Sequence, residues 1–200
     1  MKIGILALQG NVIEHKSALA DAAKKIGIEK EIELVLIRRE KDLCELSTII
    51  LPGGESTTIS LLLEKFSMLE KIKKIPFIFG TCAGLILMSK EVEGLEKGQK
   101  TLELMDISIC RNAYGSQTES FFGELTGEIL NSQKVMFIRA PKIKTIGKGV
   151  KILAKTKIEN EIAIIEQKVN GQYLLGATCH PEMTTSELSE YFLKKVLEKR

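Results

Sequence analysis

Residues 77–88, FIFGTCAGLILM, decide the fold of this chain. The stretch opens on uninterrupted apolar residues, turns through Gly-x-Cys-x-Gly, and continues into a second apolar run. An uninterrupted apolar run of this length is typical of a strand in a sheet that is covered on both faces. The pattern predicts a buried strand over residues 76–79, a tight turn around Cys82, and a helix over residues 85–89.

Strands and helices alternate along the chain on the N-terminal side of this stretch. Apolar runs predict further strands over residues 2–8, 32–37 and 48–51. Helical spacing of apolar residues predicts helices over residues 11–26 and 56–66. This alternation is typical of a parallel α/β sheet.

The C-terminal half is richer in strands. Short apolar segments predict strands over five ranges, namely residues 104–110, 135–138, 150–154, 162–167 and 173–178. Asn170-Gly171 predicts a two-residue hairpin turn, and residues 186–199 predict an amphipathic helix. We therefore expect a single domain over residues 1–200, a three-layer α/β/α sandwich. Its central sheet should be mostly parallel, with antiparallel strands added in the C-terminal half.

Composition excludes several classes of function. The chain has 200 residues, 44% hydrophobic, and its net charge of +3 is spread along the sequence. A nucleic-acid or membrane-surface protein would carry a concentrated basic patch, and a membrane span would need about 20 consecutive apolar residues. The four cysteines form no C-x-x-C pair, which argues against a zinc site or a disulfide framework. These features favour a cytoplasmic protein without a metal or a cofactor.

Cys82 is the candidate nucleophile. A strand that runs through Gly-x-Cys-x-Gly into a helix matches the nucleophile elbow of α/β hydrolases, with sulfur in place of oxygen. Gly80 and Gly84 would make room for the turn, and the helix N-terminus would favour a thiolate. The alternative is an inert buried cysteine, the usual state of this residue. That interpretation suits the other cysteines better, namely Cys44, Cys110 and Cys179.

A cysteine nucleophile needs a base, and the chain offers only two histidines. His15 falls within a predicted helix, and we interpret it as a surface or interface residue. His180 follows a predicted strand, where open α/β sheets place their sites. Glu182, two residues later, is placed to orient the His180 imidazole. Cys82, His180 and Glu182 together therefore predict an acyl-transfer triad.

The elbow and the C-terminal His-x-Glu resemble the class I (triad) glutamine amidotransferases. Six strings in this order narrow the resemblance to the glutaminase subunits of pyridoxal 5'-phosphate synthase: LALQGNVIEH, LPGGEST, GTCAGLIL, RNAYGSQTESF, FIRAP and CHPEMT. The resemblance implies hydrolysis of L-glutamine to L-glutamate and ammonia. It also implies that the ammonia is channelled to a separate synthase subunit, in a hetero-oligomer required for activity. That partner makes pyridoxal 5'-phosphate (vitamin B6) from a pentose phosphate and a triose phosphate.

The resemblance also assigns roles to residues. Cys82, His180 and Glu182 match the catalytic triad. The positions that match the glutamine and oxyanion site are Gly53, Gly54, Glu55, Ser56, Ala83, Arg111, Ile138 and Arg139. Among these, the backbone N–H groups of Ala83 and of the Gly53-Gly54 loop would hold the oxyanion. The two arginines would serve the α-carboxylate of glutamine, although either could instead be a surface ion-pair residue.

Three other functions compete with this one. Another triad amidotransferase, such as the glutaminase subunit of imidazole glycerol phosphate synthase, is disfavoured by the strings LPGGEST and RNAYGSQ. A free-standing cysteine hydrolase or peptidase would not need a C-terminal His-Pro-Glu. A catalytically inactive module that regulates a partner is disfavoured by the intact triad residues.

Overall fold

The computed structural model describes residues 1–111 and 120–198, so residues 112–119 of the RNAYGSQTESF string lie outside the described part. The described strands are β1 (Lys2–Leu6), β2 (Glu33–Ile37), β3 (Thr48–Leu51), β4 (Phe77–Thr81), β5 (Ser89–Glu93), β6 (Met105–Cys110), β7 (Ser120–Gly127), β8 (Lys134–Ile138), β9 (Lys142–Ile146), β10 (Val150–Thr156), β11 (Ile162–Val169) and β12 (Gln172–Ala177). The helices are α1 (Val12–Lys25), α2 (Ser56–Lys65), α3 (Leu69–Ile72), α4 (Ala83–Met88) and α5 (Glu187–Leu197). Short 3-10 turns cover Glu40–Leu43 and Pro181–Met183.

The main sheet has nine strands in the order β2-β1-β3-β4-β12-β11-β10-β7-β8. The first five strands are parallel, and the last four are added in antiparallel fashion. A smaller sheet pairs β5, β6 and β9. The prediction of a parallel sheet with antiparallel strands added from the C-terminal half is confirmed.

Helices cover both faces of the nine-stranded sheet. On one face, α1 and α5 pack their apolar sides onto strand residues such as Ile3 and Ile50. On the other face, α2, α4 and the small sheet enclose a second core that contains Ile78 and Leu51. The three-layer α/β/α architecture is therefore confirmed, while the single domain over residues 1–200 stays a prediction.

The pairing of β12 with β4 positions the site. Paired residues of these strands are 96 positions apart in the sequence and lie side by side, with Tyr173 opposite Phe77 and Ala177 opposite Thr81. The Cys82 backbone N–H continues the ladder by donating to the Ala177 carbonyl at 2.8 Å. The segments that follow β4 and β12 both leave the sheet at the carboxyl ends of their strands, where open α/β sheets bind ligands.

The structure also differs from the sequence predictions in several elements. The helix after the elbow begins at Ala83 and ends at Met88, because the chain turns into β5 at Ser89. Strands β5, β7 and β9 were not predicted. The hairpin turn is confirmed, since Asn170 and Gly171 both take positive φ, 49° and 80°. Within residues 1–111 and 120–198, no helix is long and apolar enough to cross a bilayer.

Candidate active site

Cys82 lies on a strained turn between β4 and α4. Its backbone has φ 47° and ψ −103°, a conformation that costs energy for a residue with a Cβ and that clusters at functional sites. The turn is possible because Gly84 touches the neighbouring strand: a Cβ on Gly84 would overlap the carbonyl oxygen of Leu51. A Cβ on Gly80 would in turn lie 2.7 Å from the carbonyl carbon of Gly84. The elbow predicted from Gly-x-Cys-x-Gly therefore has the expected steric basis.

His180 and Glu182 lie beside the elbow. The Nδ1 of His180 lies 2.9 Å from Oε1 of Glu182, and both side chains are buried. The His180 backbone N–H donates to the Met136 carbonyl at 2.8 Å, and Pro181 begins the 3-10 turn that brings Glu182 back under the imidazole. The structure thus brings Cys82, His180 and Glu182 together, as their positions in the sequence predict.

The electrostatics of this group favour a charged imidazole. Burial acts to lower the pKa of His180, but hydrogen bonds and charges from Cys82 and Glu182 outweigh it and raise the pKa to about 10. Burial likewise acts to raise the pKa of Glu182, yet the nearby His15 and the hydrogen bond from His180 hold it below its ordinary value. At neutral pH His180 is therefore an imidazolium paired with the Cys82 sulfur and the Glu182 carboxylate.

A cavity of about 470 Å³ opens over the thiol. Its size falls within the usual range for small-molecule sites. Its lining comprises Gln9, Gly10, Asn11, Gly54, Glu55, Ser56, Cys82, Ile86, Arg111, Ile138, Arg139 and His180. Most of the residues that the family resemblance assigns to substrate binding therefore line one cavity, together with the candidate nucleophile and base.

The Gly53-Gly54 loop is pressed against the triad. A Cβ on Gly53 would overlap the His180 imidazole, so only glycine can approach this closely. The Gly53 carbonyl accepts the Asn11 N–H at 3.0 Å, and the Gly53 N–H donates to Oγ1 of Thr81 at 3.1 Å. Because the Gly53 N–H is already used, Gly54 supplies the loop N–H that remains for a ligand. In a trans peptide that N–H points opposite to the Gly53 carbonyl, and therefore away from Asn11.

Ala83 provides a second N–H group near the thiol. It is the first residue of α4, where a backbone N–H has no carbonyl partner within the helix. The residue after the nucleophile supplies an oxyanion donor in nucleophile elbows. Ala83 and Gly54 together are therefore the candidate donors for an oxyanion.

Arg111 and Glu55 lock the start of α2. The Glu55 carboxylate caps the helix by accepting the backbone N–H of Thr57 at 3.1 Å and that of Thr58 at 2.6 Å. The Arg111 Nη2 lies 3.4 Å from Oε1 of Glu55 and donates to Oγ1 of Thr57 at 3.1 Å. Its Nη1 donates to Oε1 of Gln99 at 2.7 Å. The guanidinium thus lines the cavity while it is held by the loop that carries Glu55.

Two further predicted residues lie at the rim of the cavity: Ile138, the last residue of β8, and Arg139, which follows it. The Ile138 carbonyl lies 3.8 Å from the Cys82 sulfur. Arg139 is exposed and takes φ 43°, which turns the chain away from the strand. The backbone at this point therefore faces the space where a substrate would meet the thiol.

Comparison with known proteins agrees with this geometry. Residues 5–198 match the model of the SNO glutamine amidotransferase family. This chain belongs to that family. Among curated relatives, the pyridoxal 5'-phosphate synthase subunit PdxT of Methanosarcina mazei is 44% identical, with 98% of this chain and 99% of the relative covered. The subunit PdxT of Dictyoglomus turgidum is 43% identical, with 99% and 100% covered.

Solved structures place the fold in the same group. A crystal structure of a glutamine amidotransferase is 35% identical and superposes with a TM-score of 0.80, covering 96% of this chain and 97% of the other. The crystal structure of a protein from Thermoplasma acidophilum, described as a GMP synthase subunit, has a TM-score of 0.53 at 13% identity, covering 100% and 98%. At that identity the second match shows likeness of fold alone.

The structure corrects the sequence-based interpretation of one histidine in this member of the SNO family. The sequence predicts His15 at the surface or at an interface, but it is fully buried within the chain. Its Nε2 lies 2.9 Å from Oγ1 of Thr81 and 3.4 Å from Oε1 of Glu182. Helical periodicity indicates that His15 is buried, because position 15 falls three residues after Val12 and four before Leu19, on the apolar face of α1. The interpretation of His15 as a surface or interface residue is therefore wrong, because helical periodicity places it among the buried positions of α1.

Two other features of the site were also missed. Asn11 lies next to the triad, with its side-chain amide nitrogen 3.1 Å from Nδ1 of His180 and 3.5 Å from Oε1 of Glu182. Gln9 accepts the Glu55 N–H at 2.8 Å.

Among the other cysteines, Cys179 is buried as predicted, Cys110 is half-buried and Cys44 is exposed, which corrects the prediction for Cys44. Cys44 is exposed because it follows a surface 3-10 turn instead of lying in a strand.

Proposed function

We propose that this chain hydrolyses L-glutamine to L-glutamate and ammonia with Cys82 as nucleophile, His180 as base and acid, and Glu182 as the residue that orients His180. The observation that carries the proposal is the 2.9 Å contact between His180 and Glu182 beside a cysteine on a strained elbow. The raised pKa of His180 supports it, since an imidazolium stabilises the thiolate form of the nucleophile.

The reaction begins with attack of the Cys82 thiolate on the side-chain amide carbon of glutamine. The carbonyl oxygen becomes an oxyanion, which the N–H groups of Ala83 and Gly54 stabilise. Loss of one such donor typically costs about 3 kcal/mol of transition-state stabilisation. His180 then gives its proton to the leaving nitrogen, and ammonia departs from a glutamyl thioester.

Water completes the cycle. The neutral His180 takes a proton from a water molecule, which attacks the thioester carbonyl and releases glutamate. Glu182 holds Nδ1 of His180 throughout, so that Nε2 is the nitrogen that exchanges protons. The same two backbone donors serve both oxyanions.

The amino-acid end of glutamine is assigned to the part of the cavity that Arg111, Ile138 and Arg139 line. Arg111 would lie near the substrate and keep Glu55 and Thr57 in place, and the backbone at Ile138 and Arg139 would meet the α-amino and α-carboxylate groups. Ser56, buried and next to Gln99, would complete the loop that surrounds the substrate.

We further propose that the ammonia passes to a separate synthase subunit that makes pyridoxal 5'-phosphate from a pentose phosphate and a triose phosphate, within a hetero-oligomer. The support is the relatives at 42–44% identity, whose names describe them as subunits of pyridoxal 5'-phosphate synthase. The chemistry needs a reduced Cys82, which fits a cytoplasmic location.

The test is ammonia release from glutamine, with and without the synthase subunit, by wild-type protein and by the variants Cys82→Ala and Cys44→Ala. We expect Cys82→Ala to lose ammonia release in the complex and to keep measurable glutamine binding. The exposed Cys44 is the matched control, and its replacement should leave turnover unchanged. Turnover retained by Cys82→Ala would overturn the triad assignment, and an inactive wild-type complex would favour a regulatory binding module.

A further inference from the structure

A second buried histidine connects the triad to the oxyanion loop. His15 projects from α1 into the interior, where its ring packs edge-on against Phe79 with centroids 5.7 Å apart. Its Nε2 faces two oxygens, Oγ1 of Thr81 at 2.9 Å and Oε1 of Glu182 at 3.4 Å. None of the triad steps described above uses His15, so its burial beside the triad carboxylate calls for another explanation.

Thr81 extends this contact to the Gly53-Gly54 loop. Its hydroxyl oxygen accepts the Gly53 N–H at 3.1 Å, and the residue itself is fully buried. Thr81 is also the last residue of β4 and directly precedes Cys82. One hydroxyl oxygen is therefore shared by the strand that presents the nucleophile, the loop that presents Gly54, and the helix that presents His15.

Hydrogen-bond accounting fixes the direction of these contacts. Burial lowers the pKa of His15, so the ring is neutral and carries a single N–H. A proton on Nδ1 would leave a buried donor that meets no acceptor among the described residues, and would turn a bare Nε2 towards the Glu182 carboxylate. A proton on Nε2 avoids the repulsion between a bare nitrogen and the Glu182 carboxylate, and it points towards Oγ1 of Thr81. His15 is thus the donor to Oγ1 of Thr81, and the same nitrogen lies 3.4 Å from Oε1 of Glu182.

We propose that His15 and Thr81 are positioning residues that tie the triad carboxylate to the Gly53-Gly54 loop, and so set the loop donor at Gly54 relative to the Cys82 thiol. The proposal rests on the glutaminase function proposed above. Neither residue contacts the reacting atoms. They act because Gly53 is held at both its N–H and its carbonyl, by Thr81 and by the backbone of Asn11.

The energetic consequence falls on turnover more than on substrate affinity. Removing the Thr81 hydroxyl leaves the Gly53 N–H buried without an acceptor, and the loop relaxes to find one. The oxyanion exists only after attack has begun, so a displaced donor weakens the transition state and leaves glutamine binding nearly intact. Displacements of about 1 Å in such groups can cost on the order of 10²-fold in rate.

The experiment measures kcat and KM for glutamine in the complex with the synthase subunit. Thr81→Val keeps the shape and removes the acceptor, and we expect kcat to fall at least about 10-fold with KM within about 3-fold of wild type. Thr81→Ser keeps the hydroxyl and should restore most of the lost kcat. His15→Leu should reproduce the loss, and His15→Gln, whose amide N–H reaches the position of Nε2, should restore most of it.

A matched control separates positioning from general stability. Thr48 is also a fully buried threonine on the same sheet, but its hydroxyl has no hydrogen-bond partner among the described residues and lies outside the site. Thr48→Val should therefore leave kcat and KM unchanged. Thermal unfolding checks that each variant is folded. If Thr81→Val does not fold, the comparison of kcat between His15→Leu and His15→Gln tests the same proposal with a residue of α1.

The double variant His15→Leu/Thr81→Val tests whether the pair acts as one unit. Its kcat should lie within about 3-fold of the lower single variant, because residues that act together are not additive. The proposal would be overturned if the fold losses in kcat of the two single variants multiplied in the double variant. It would also be overturned if Thr81→Val were as active as Thr48→Val, or if Thr81→Ser were as impaired as Thr81→Val. An inactive wild-type complex would instead overturn the glutaminase function itself, so the two failures are distinguishable.

Discussion

Two buried histidines approach one carboxylate from different regions of the molecule and acquire opposite properties. His180 lies at the end of β12 on the cavity, and His15 lies on the inner face of α1. The pKa of His180 is raised to about 10, while that of His15 is lowered. Both are buried, so burial alone does not decide the charge. The difference is that contact with Cys82 helps to raise the pKa of His180, whereas the second partner of His15 is the Thr81 hydroxyl.

The largest effect is expected from removing the cavity histidine. His180→Asn eliminates the group that moves protons between Cys82 and the leaving nitrogen, and we expect kcat to fall at least about 10³-fold. His15→Gln, assayed in parallel in the same complex, should retain most of its turnover. Ammonia release measured with the synthase subunit gives the comparison, and similar losses in the two variants would mean that the two regions are not functionally distinct.

A smaller effect is expected from removing the shared charge. Glu182→Gln keeps a hydrogen-bond acceptor for His180 but removes the anion, so kcat should fall by up to about 10⁴-fold, and by less than for His180→Asn. The pKa of His180 should fall as well, because the negative charge that helps to raise it is gone.

Nitrogen NMR of the imidazole rings checks this change in pKa directly, because the chain contains only two histidines. In wild-type protein one ring should titrate near 10, and the pKa of the other should lie below 6.5. His15→Gln assigns the signals by removing one of them. Two wild-type rings that both titrate near 6.5 would contradict the contrast between the two regions.

The smallest effect concerns stability. Because the folded-state pKa of His15 lies below its unfolded value near 6.5, the unfolded chain binds the extra proton more tightly. The contribution of neutral His15 is therefore fully present above pH 6.5 and is lost as the pH falls below that value. The slope for one proton is at most about 1.4 kcal/mol per pH unit.

Urea unfolding between pH 7.5 and pH 5 measures this slope. Over that window His15→Gln should flatten the pH dependence of the free energy of unfolding relative to wild type, because the other titrating groups are shared by the two proteins. An unchanged slope in the variant would show that the acid sensitivity comes from other groups, and would remove His15 from this part of the comparison.

Much of this architecture is readable from local patterns. The strand bounds at Thr48–Leu51 match the prediction. The Gly-x-Cys-x-Gly pattern also indicates the elbow, because Gly80 lies against Gly84 within the same turn, whereas the contact of Gly84 with Leu51 is a tertiary one. Strands β5, β7 and β9 were missed because their exposed and polar positions give weak alternation. Their pairing partners stabilise them, and those partners lie elsewhere in the chain.

The sequence by itself determined the candidate nucleophile, its candidate base and the family resemblance, since each rests on residue types at fixed short spacings. Only the tertiary structure decided that β12 lies parallel to β4, which brings His180 to Cys82 although they are 98 residues apart in the sequence. It also decided the surroundings of His15. A helical pattern specifies which face is buried, but the groups that meet that face depend on how α1 packs against the end of β4, which carries Thr81, and the 3-10 turn that carries Glu182. Long-range packing, and the hydrogen bonds it allows, supplies that information.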